Sequence, residues 1–383
     1  MFYIPGFDPR GPLHYHRLYS GEAEKQARVS GYTASVSRRR AVDDFESCWT
    51  VTSGQTVTEY RFLRYEDIVR RQWPTGGQAM YGSILNYSWH FLRMGVFAMI
   101  GRNSWPGLIA VTYPPLLVIG LFLASTIFGI FLAALLQPAL GLLSWLAVPA
   151  LLALPFATYG HIEKRYNAFW LARSCAFLVD RSLKRVPEIE ERCLLFAGRV
   201  ADGMDNGGAD EVLLVAHSVG THLAITVAAR ALERARADTR LSLLTLGQAI
   251  AMTPDEPPAH QFREDLLAVS MSDRLDWIDV TSAIDGSCIA LSDPLALSNV
   301  VRPEGARIQP KLVSPRFNRL FTPETYATIR RNFLRTHFQY LMATEYPGDY
   351  DYFLITSGDI PLAERFAHLD SVTGFNRFRI GKR

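Results

Sequence analysis

What the sequence most clearly lacks is charge in one long block. Between Asn103 and Gly160 it carries no Asp, Glu, Lys, Arg or His. A solvated surface helix needs a polar face, so this block is not an ordinary surface element, and a soluble core rarely supplies so long an uncharged run. The block also lacks the buried charges and repeats that mark ion pathways, which argues against a transporter. Cysteine is scarce. Cys48, Cys175, Cys193 and Cys288 are widely spaced, with no Cys-x-x-Cys pair, which excludes a disulfide-stapled scaffold and a cysteine zinc site and fits free thiols in a reducing compartment. An excess of one charge sign is missing too. The net charge is +3, and a run such as Arg38-Arg39-Arg40 is isolated among acids, so nucleic acid is not an expected partner. The N-terminus enters an apolar segment at once, which leaves no room for a cleavable signal peptide.

The uncharged block is long enough for two membrane helices. Leu116 to Leu136 and Ala139 to Tyr159 each supply about the 20 apolar residues a bilayer core requires, with a turn expected at Gln137-Pro138. Arg93 and Arg102 precede the block and Lys164 and Arg165 follow it, so the positive-inside tendency puts both ends, and the rest of the chain, in the cytoplasm. Trp105, Tyr113, Tyr159, Tyr166 and Trp170 fit an interfacial aromatic belt. Pro114, Pro115, Pro149 and Pro155 allow kinked helices that enter one leaflet only.

Beyond that block the chemistry gathers around Ser218, in Glu-Val-Leu-Leu-Val-Ala-His-Ser-Val-Gly-Thr-His-Leu-Ala-Ile (211–225). A strand-like run ends at the serine and an alanine-rich helical pattern follows. A serine on so sharp a corner needs small residues two before and two after it, here Ala216 and Gly220. His217 is fixed beside the serine, where it buttresses the turn. On these residues the chain resembles the α/β-hydrolase superfamily, in its serine esterase and lipase-like branch, although Ala216 stands where glycine is usual. The resemblance implies a mostly parallel sheet flanked by helices, with an acid and then a histidine following the serine in the chain.

The acid is sought after a later strand, Leu275 to Ser282. Asp285, in the loop beyond it, is the first choice, with Asp279 and Asp293 as alternatives. After Asp285 the histidines are His337 and His368. His337 is preferred, because Leu-Arg-Thr-His-Phe-Gln-Tyr-Leu resembles the His-x-x-Tyr context of lipase-like proteins, though Glu324 to Met342 reads as a helix on which it could simply ride. An oxyanion site needs two backbone N–H donors. Val219, directly after the nucleophile, supplies one. The loop after the first strand supplies the other, where Gly6 lets the backbone approach closely and Phe7 offers its N–H. If that strand begins at residue 2, the leading hairpin of a full hydrolase sheet is absent.

The expected organisation is an inserted α/β domain. Residues 1–77 form the N-terminal part of the sheet with the oxyanion loop, 78–106 an interfacial or lid-like helix centred on Met80 to Ile100, 107–160 the transmembrane hairpin, and 161–383 the remaining hydrolase domain. Gly31 to Arg64 alternates around turns at Asp43-Asp44 and Ser53-Gly54, which predicts two or three further strands. Asp8, His14 and His16 are candidates to line an acyl pocket, and no metal or other cofactor is implied. The expected activity is cleavage of an ester or thioester on a lipidic or amphipathic substrate at a membrane-lipid surface, through an acyl-enzyme. Acyl transfer by the same groups and a catalytically silent membrane scaffold are the alternatives.

Overall fold

The structure is a computed structural model that describes residues 1–253, 259–305 and 307–380. Its centre is one mixed sheet of nine strands: β1 Phe2–Ile4, β2 Ala34–Val36, β3 Arg40–Asp43, β4 Glu46–Ser53, β5 Thr56–Leu63, β6 Leu213–His217, β7 Leu241–Leu246, β8 Leu275–Val280 and β9 Lys311–Val313. The order is β2-β4-β5-β1-β6-β7-β8-β9, with β3 paired to β4. From β5 to β9 every pairing is parallel, while β2, β3 and β5 run antiparallel to β4. Segments on both sides of the uncharged block therefore build one sheet. Among the described residues no hairpin precedes β1, which begins at Phe2 as expected; the antiparallel flank is a different element. Its hairpin is drawn from residues that follow β1, because the alternating β4 and β5 pair over their whole length and β5 then pairs in parallel with β1. The stretch from residue 31 to 64 thus holds four strands.

The parallel half is covered on both faces, so its strands are mostly buried and largely apolar. All five residues of β6 are buried. Leu214 and Ala216 pack with Ile4, Leu243 and the helices Pro187–Asp205, Val219–Arg234 and His260–Met271. Leu213 and Val215 pack on the opposite face with Tyr3, Leu244 and the helices Gly11–Ser30 and Tyr352–Ser357. Strand alternation alone assigns these two sets.

The uncharged block is helical, in a form the sequence did not predict. One helix runs from Trp105 to Leu140, straight through Gln137-Pro138. A proline in the last turn costs one hydrogen bond without reversing the chain. Gly141, at φ 52, makes the turn in a conformation that L residues avoid. The second leg is not one continuous span. It consists of a 3-10 turn Gly141–Leu146 and the helices Ala147–Leu152 and Leu154–Tyr166, with Pro155 opening the last piece. This leg lies directly against the first, since a Cβ added to Gly129 would sit 2.9 Å from Val148 Cα. The stretch Trp105–Tyr166 is long and apolar enough to cross a membrane, and only 17 % of its most apolar window is buried. A core helix of a soluble protein would be mostly buried. Here Leu116, Ile119, Leu123, Ile127 and Phe131 are exposed side by side.

The preceding segment is two helices, Gly77–Arg93 and Val96–Asn103, broken at Gly95 with φ 70. Met80, Ile84, Tyr87 and Phe91 are buried against the helix Trp170–Ser182, while Leu85, Trp89 and Leu92 are exposed on the opposite stripe. One face is thus a wall of the domain, and the other is an uncovered apolar surface.

Candidate active site

Ser218 sits between β6 and the helix Val219–Arg234 at φ 57 and ψ −130. This is a strained conformation for a residue with a side chain, and its neighbours hold it. The Ser218 N–H donates to Leu246 O at 2.9 Å, and the Ser218 carbonyl accepts from Thr221 N–H and from Thr221 Oγ1. Ala216 is paired between Ile4 and Thr245, and its methyl is accommodated in the core. Gly220 has no such latitude. A Cβ there would lie 2.3 Å from Pro5 O and 2.5 Å from Ile4 O. Gly220→Ala is therefore expected to cost about 3 kcal/mol of stability, since overpacking against backbone cannot relax by a rotamer change. Denaturant unfolding of the variant checks this, and an unchanged midpoint would mean that the elbow is looser than described.

The loop after β1 closes over the serine. A Cβ on Gly6 would lie 3.0 Å from Ser218 Cβ and 3.4 Å from its Oγ, so glycine is what permits the approach. The Phe7 N–H enters no backbone hydrogen bond among the described residues. Val219 is the first residue of its helix, so its N–H has no intrahelical acceptor. Tyr65 Oη fixes the loop by donating to Pro5 O and Gly6 O at 2.9 and 2.7 Å.

Asp285 and His337, 52 residues apart in the chain, meet in the interior. His337 Nδ1 lies 2.8 Å from Asp285 Oδ2, and both residues are buried. Asp285 also accepts from the Ser287 N–H at 2.9 Å and from Tyr340 Oη at 3.2 Å. Burial pushes the Asp285 carboxyl up, but His337 and the Ser287 N–H outweigh it and hold it below the usual carboxylate range. A carboxylate here leaves His337 to carry its proton on Nδ1, so that Nε2 is the free acceptor. That Nε2 is buried and has no hydrogen-bond partner. His337 and Ser218 line the same cavity of about 270 Å³, without a direct hydrogen bond between them among the described residues. Gly247, at φ 52, leaves room behind the pair: a Cβ there would sit 3.2 Å from Asp285 Oδ2 and 3.3 Å from His337 Cε1.

The other candidates are accounted for elsewhere. Asp279 is buried within β8, where Thr245 Oγ1 donates to its Oδ1 at 2.6 Å. Asp293 caps the short helix Pro294–Leu297 and is clamped by Arg302. His368 is exposed and pairs with Asp349. His222 is buried on the helix Val219–Arg234, stacked on Phe262 with ring centroids 3.7 Å apart. His217 is a buttress: its Nε2–H donates to His337 O at 2.9 Å, and burial first, His337 second, push its pKa down to about 3. His337 does ride on a helix, but a short one, Phe333–Phe338, separate from Pro323–Arg331. Asp8 lines the cavity, held by Arg10 and by Tyr15 Oη at 2.9 Å. His14 and His16 lie on the helix Gly11–Ser30, and His16 Nε2 is bonded to Ser37 O. Among the described residues no group of three His, Cys, Asp or Glu is arranged to hold a metal ion.

Asp279 has a consequence of its own. Burial, with a contribution from Asp293, pushes its carboxyl up to about 7 against the Thr245 hydrogen bond. The folded state then holds a proton that the unfolded chain releases above pH 3.8, so stability falls as pH rises from about 4 to about 7, by roughly 4 kcal/mol. Asp279→Asn is expected to flatten this decline in unfolding measurements across that range. Parallel profiles for the variant and the parent would contradict it.

Several residues around the site carry no motif of their own. Tyr340 was signalled only as the tyrosine of His-x-x-Tyr; it accepts from the Ser282 N–H at 2.8 Å and so braces the loop that carries Asp285. Trp170, its ring centroid 5.5 Å from that of His337, and Trp73, stacked on Phe7, line the apolar side with Leu334. Both ends of the uncharged block come close to the site. Asn167 and Trp170, just after it, line the cavity, and Pro106 O would lie 3.5 Å from a Cβ on Gly286, next to Asp285. No family model, curated protein or solved structure matches the chain.

Proposed function

We propose that the protein is a membrane-anchored serine hydrolase of the α/β-hydrolase type, cleaving an ester or thioester of a lipidic or amphipathic acyl substrate. The observation that carries the reading is the His337–Asp285 hydrogen bond of 2.8 Å, with the unpartnered Nε2 of His337 on the cavity that holds the strained Ser218. In the proposed reaction Ser218 Oγ attacks the acyl carbon and gives its proton to His337 Nε2. Phe7 and Val219 N–H groups stabilise the oxyanion, and the imidazolium, held by Asp285, returns the proton to the leaving group. Water then attacks the acyl-enzyme by the same route; another acceptor in its place would make the protein an acyltransferase. The proposed proton transfer needs Ser218 Oγ and His337 Nε2, which share this cavity, to come within hydrogen-bond reach in the substrate complex. Cytoplasmic placement of the domain follows from Arg93, Arg102, Lys164 and Arg165 at the ends of the apolar block. A fluorophosphonate probe tests the enzyme reading. It is expected to label the native protein and not Ser218→Ala, and a native protein that takes no label would leave a silent scaffold instead.

A further inference from the structure

A cavity larger than the one at Ser218 lies elsewhere in the described chain. It has a volume of about 530 Å³ and lies where the helix Val96–Asn103 meets the loop Leu291–Asn299 and the C-terminal strap Ser371–Arg379. Its lining divides by chemistry. Met94, Val96 and Met99 form an apolar wall, and Arg102, Arg263 and Arg379 bring three guanidinium groups. The one carboxylate among the described lining residues, Asp293, is paired with both Nη groups of Arg302. Arg263 is anchored through its Nε to Ser298 O at 3.2 Å. Arg379 presents a buried Nε with no hydrogen-bond partner. A buried donor left unsatisfied costs free energy, and an anion removes that cost.

The cavity is also fixed at the root of the apolar helix. Arg102 and Asn103, on its lining, immediately precede the cap Ser104, and the Trp105 N–H donates to Phe378 O at 3.0 Å. The rings of Trp105 and Phe378 pack edge to face, 6.1 Å apart. The C-terminal strap is thus bonded to the residue where the chain enters its uncharged block. We propose that this cavity is a binding site for the phosphate headgroup of an anionic lipid, with the guanidinium groups of Arg102 and Arg379 on the phosphate and the methionine wall against the start of the acyl chains. The site rests on the membrane reading of the block but not on hydrolysis at Ser218, and its test reads binding alone.

Full-length protein in neutral detergent is titrated with dihexanoyl phosphatidylglycerol, dihexanoyl phosphatidylcholine and inorganic phosphate, with affinity read from the shift in melting temperature. Phosphatidylglycerol is expected to bind at least about tenfold more tightly than either of the others. Arg102→Gln and Arg379→Gln are each expected to weaken it about fivefold, in keeping with the contribution of one basic residue near a lipid surface. Arg240→Gln, whose side chain pairs with Asp276 and does not line the cavity, should change nothing. Equal binding of the two lipids, or undiminished binding of phosphatidylglycerol by the Arg102 and Arg379 variants, would overturn the site. Inorganic phosphate binding as tightly as phosphatidylglycerol would overturn the lipid assignment in favour of a soluble anion. Arg102 is exposed and makes no ion pair among the described residues, so its variant carries the test if the Arg379 variant does not fold.

Discussion

Ser218→Ala and His337→Ala are each expected to lower turnover of an activated ester by roughly 10⁴-fold to 10⁶-fold, with the double variant little worse than either. In the proposed mechanism the two groups act as one unit: a serine without a base is a poor nucleophile, and a base without its serine has nothing to activate. The hydrogen bond between His337 and Asp285 gives the unit its direction, because it occupies Nδ1 and leaves Nε2 as the imidazole's free acceptor. Residual activity is expected to come from the Phe7 and Val219 N–H groups and from binding in the aromatic cavity, which neither variant removes. Turnover measured on all three variants decides it. Losses that multiply in the double variant would mean that Ser218 and His337 work independently, and the proposed mechanism would fall.

The parts of this arrangement that were legible in the sequence are those set by local rules. β6 reads as a strand because five consecutive buried residues face helices on both sides, and Gly220 reads as obligatory because the corner brings it against the β1 backbone. The proximity of Asp285 and His337 came from chain order and resemblance, not from any local signal, since 52 residues and a change of direction separate them. What escaped the sequence was set by packing. Nothing in the alternation of residues 46 to 63 says that this hairpin joins the sheet beside β1. The turn of the apolar block was assigned to Gln137-Pro138 because proline is the usual punctuation, yet the reversal belongs to Gly141, where a positive φ is needed. The break at Gly95 was missed for the same reason: a lone glycine inside an apolar pattern gives no sign of whether its φ is negative or positive. The aromatic wall of Trp73 and Trp170 is invisible in sequence because each residue belongs to a different helix or turn.

Shortening the apolar block is expected to separate soluble from bilayer-delivered substrates. Phe122 and Phe156 lie side by side on the two legs, ring centroids 5.3 Å apart, and both pack on Tyr81. Residues 123 to 154 can therefore be replaced by a short glycine-serine linker, which spares Val111 and Val118 in the domain's own core. The part removed holds the exposed Leu123, Ile127, Phe131 and Leu135, whose role in the proposed reading is contact with lipid. What stays includes every wall of the Ser218 cavity. Hydrolysis of a water-soluble short-chain ester is expected to persist within about twofold of the parent, because no cavity residue has been touched. Hydrolysis of a long-chain ester in vesicles is expected to fall by about 10²-fold, the scale on which tethering raises effective concentration. Asn167, Trp170 and the Pro106 contact at Gly286 put both feet of the block against the site, so a lipidic ester would enter from the bilayer surface without crossing bulk water. A shortened, folded chain that hydrolyses both esters as well as the parent would reduce the block to a simple tether and remove the support for a lipid substrate. Limited proteolysis of oriented vesicles supplies the topological half: cleavage in the exposed segment Arg234 to Asp238 from the outer face would overturn the cytoplasmic placement of the domain.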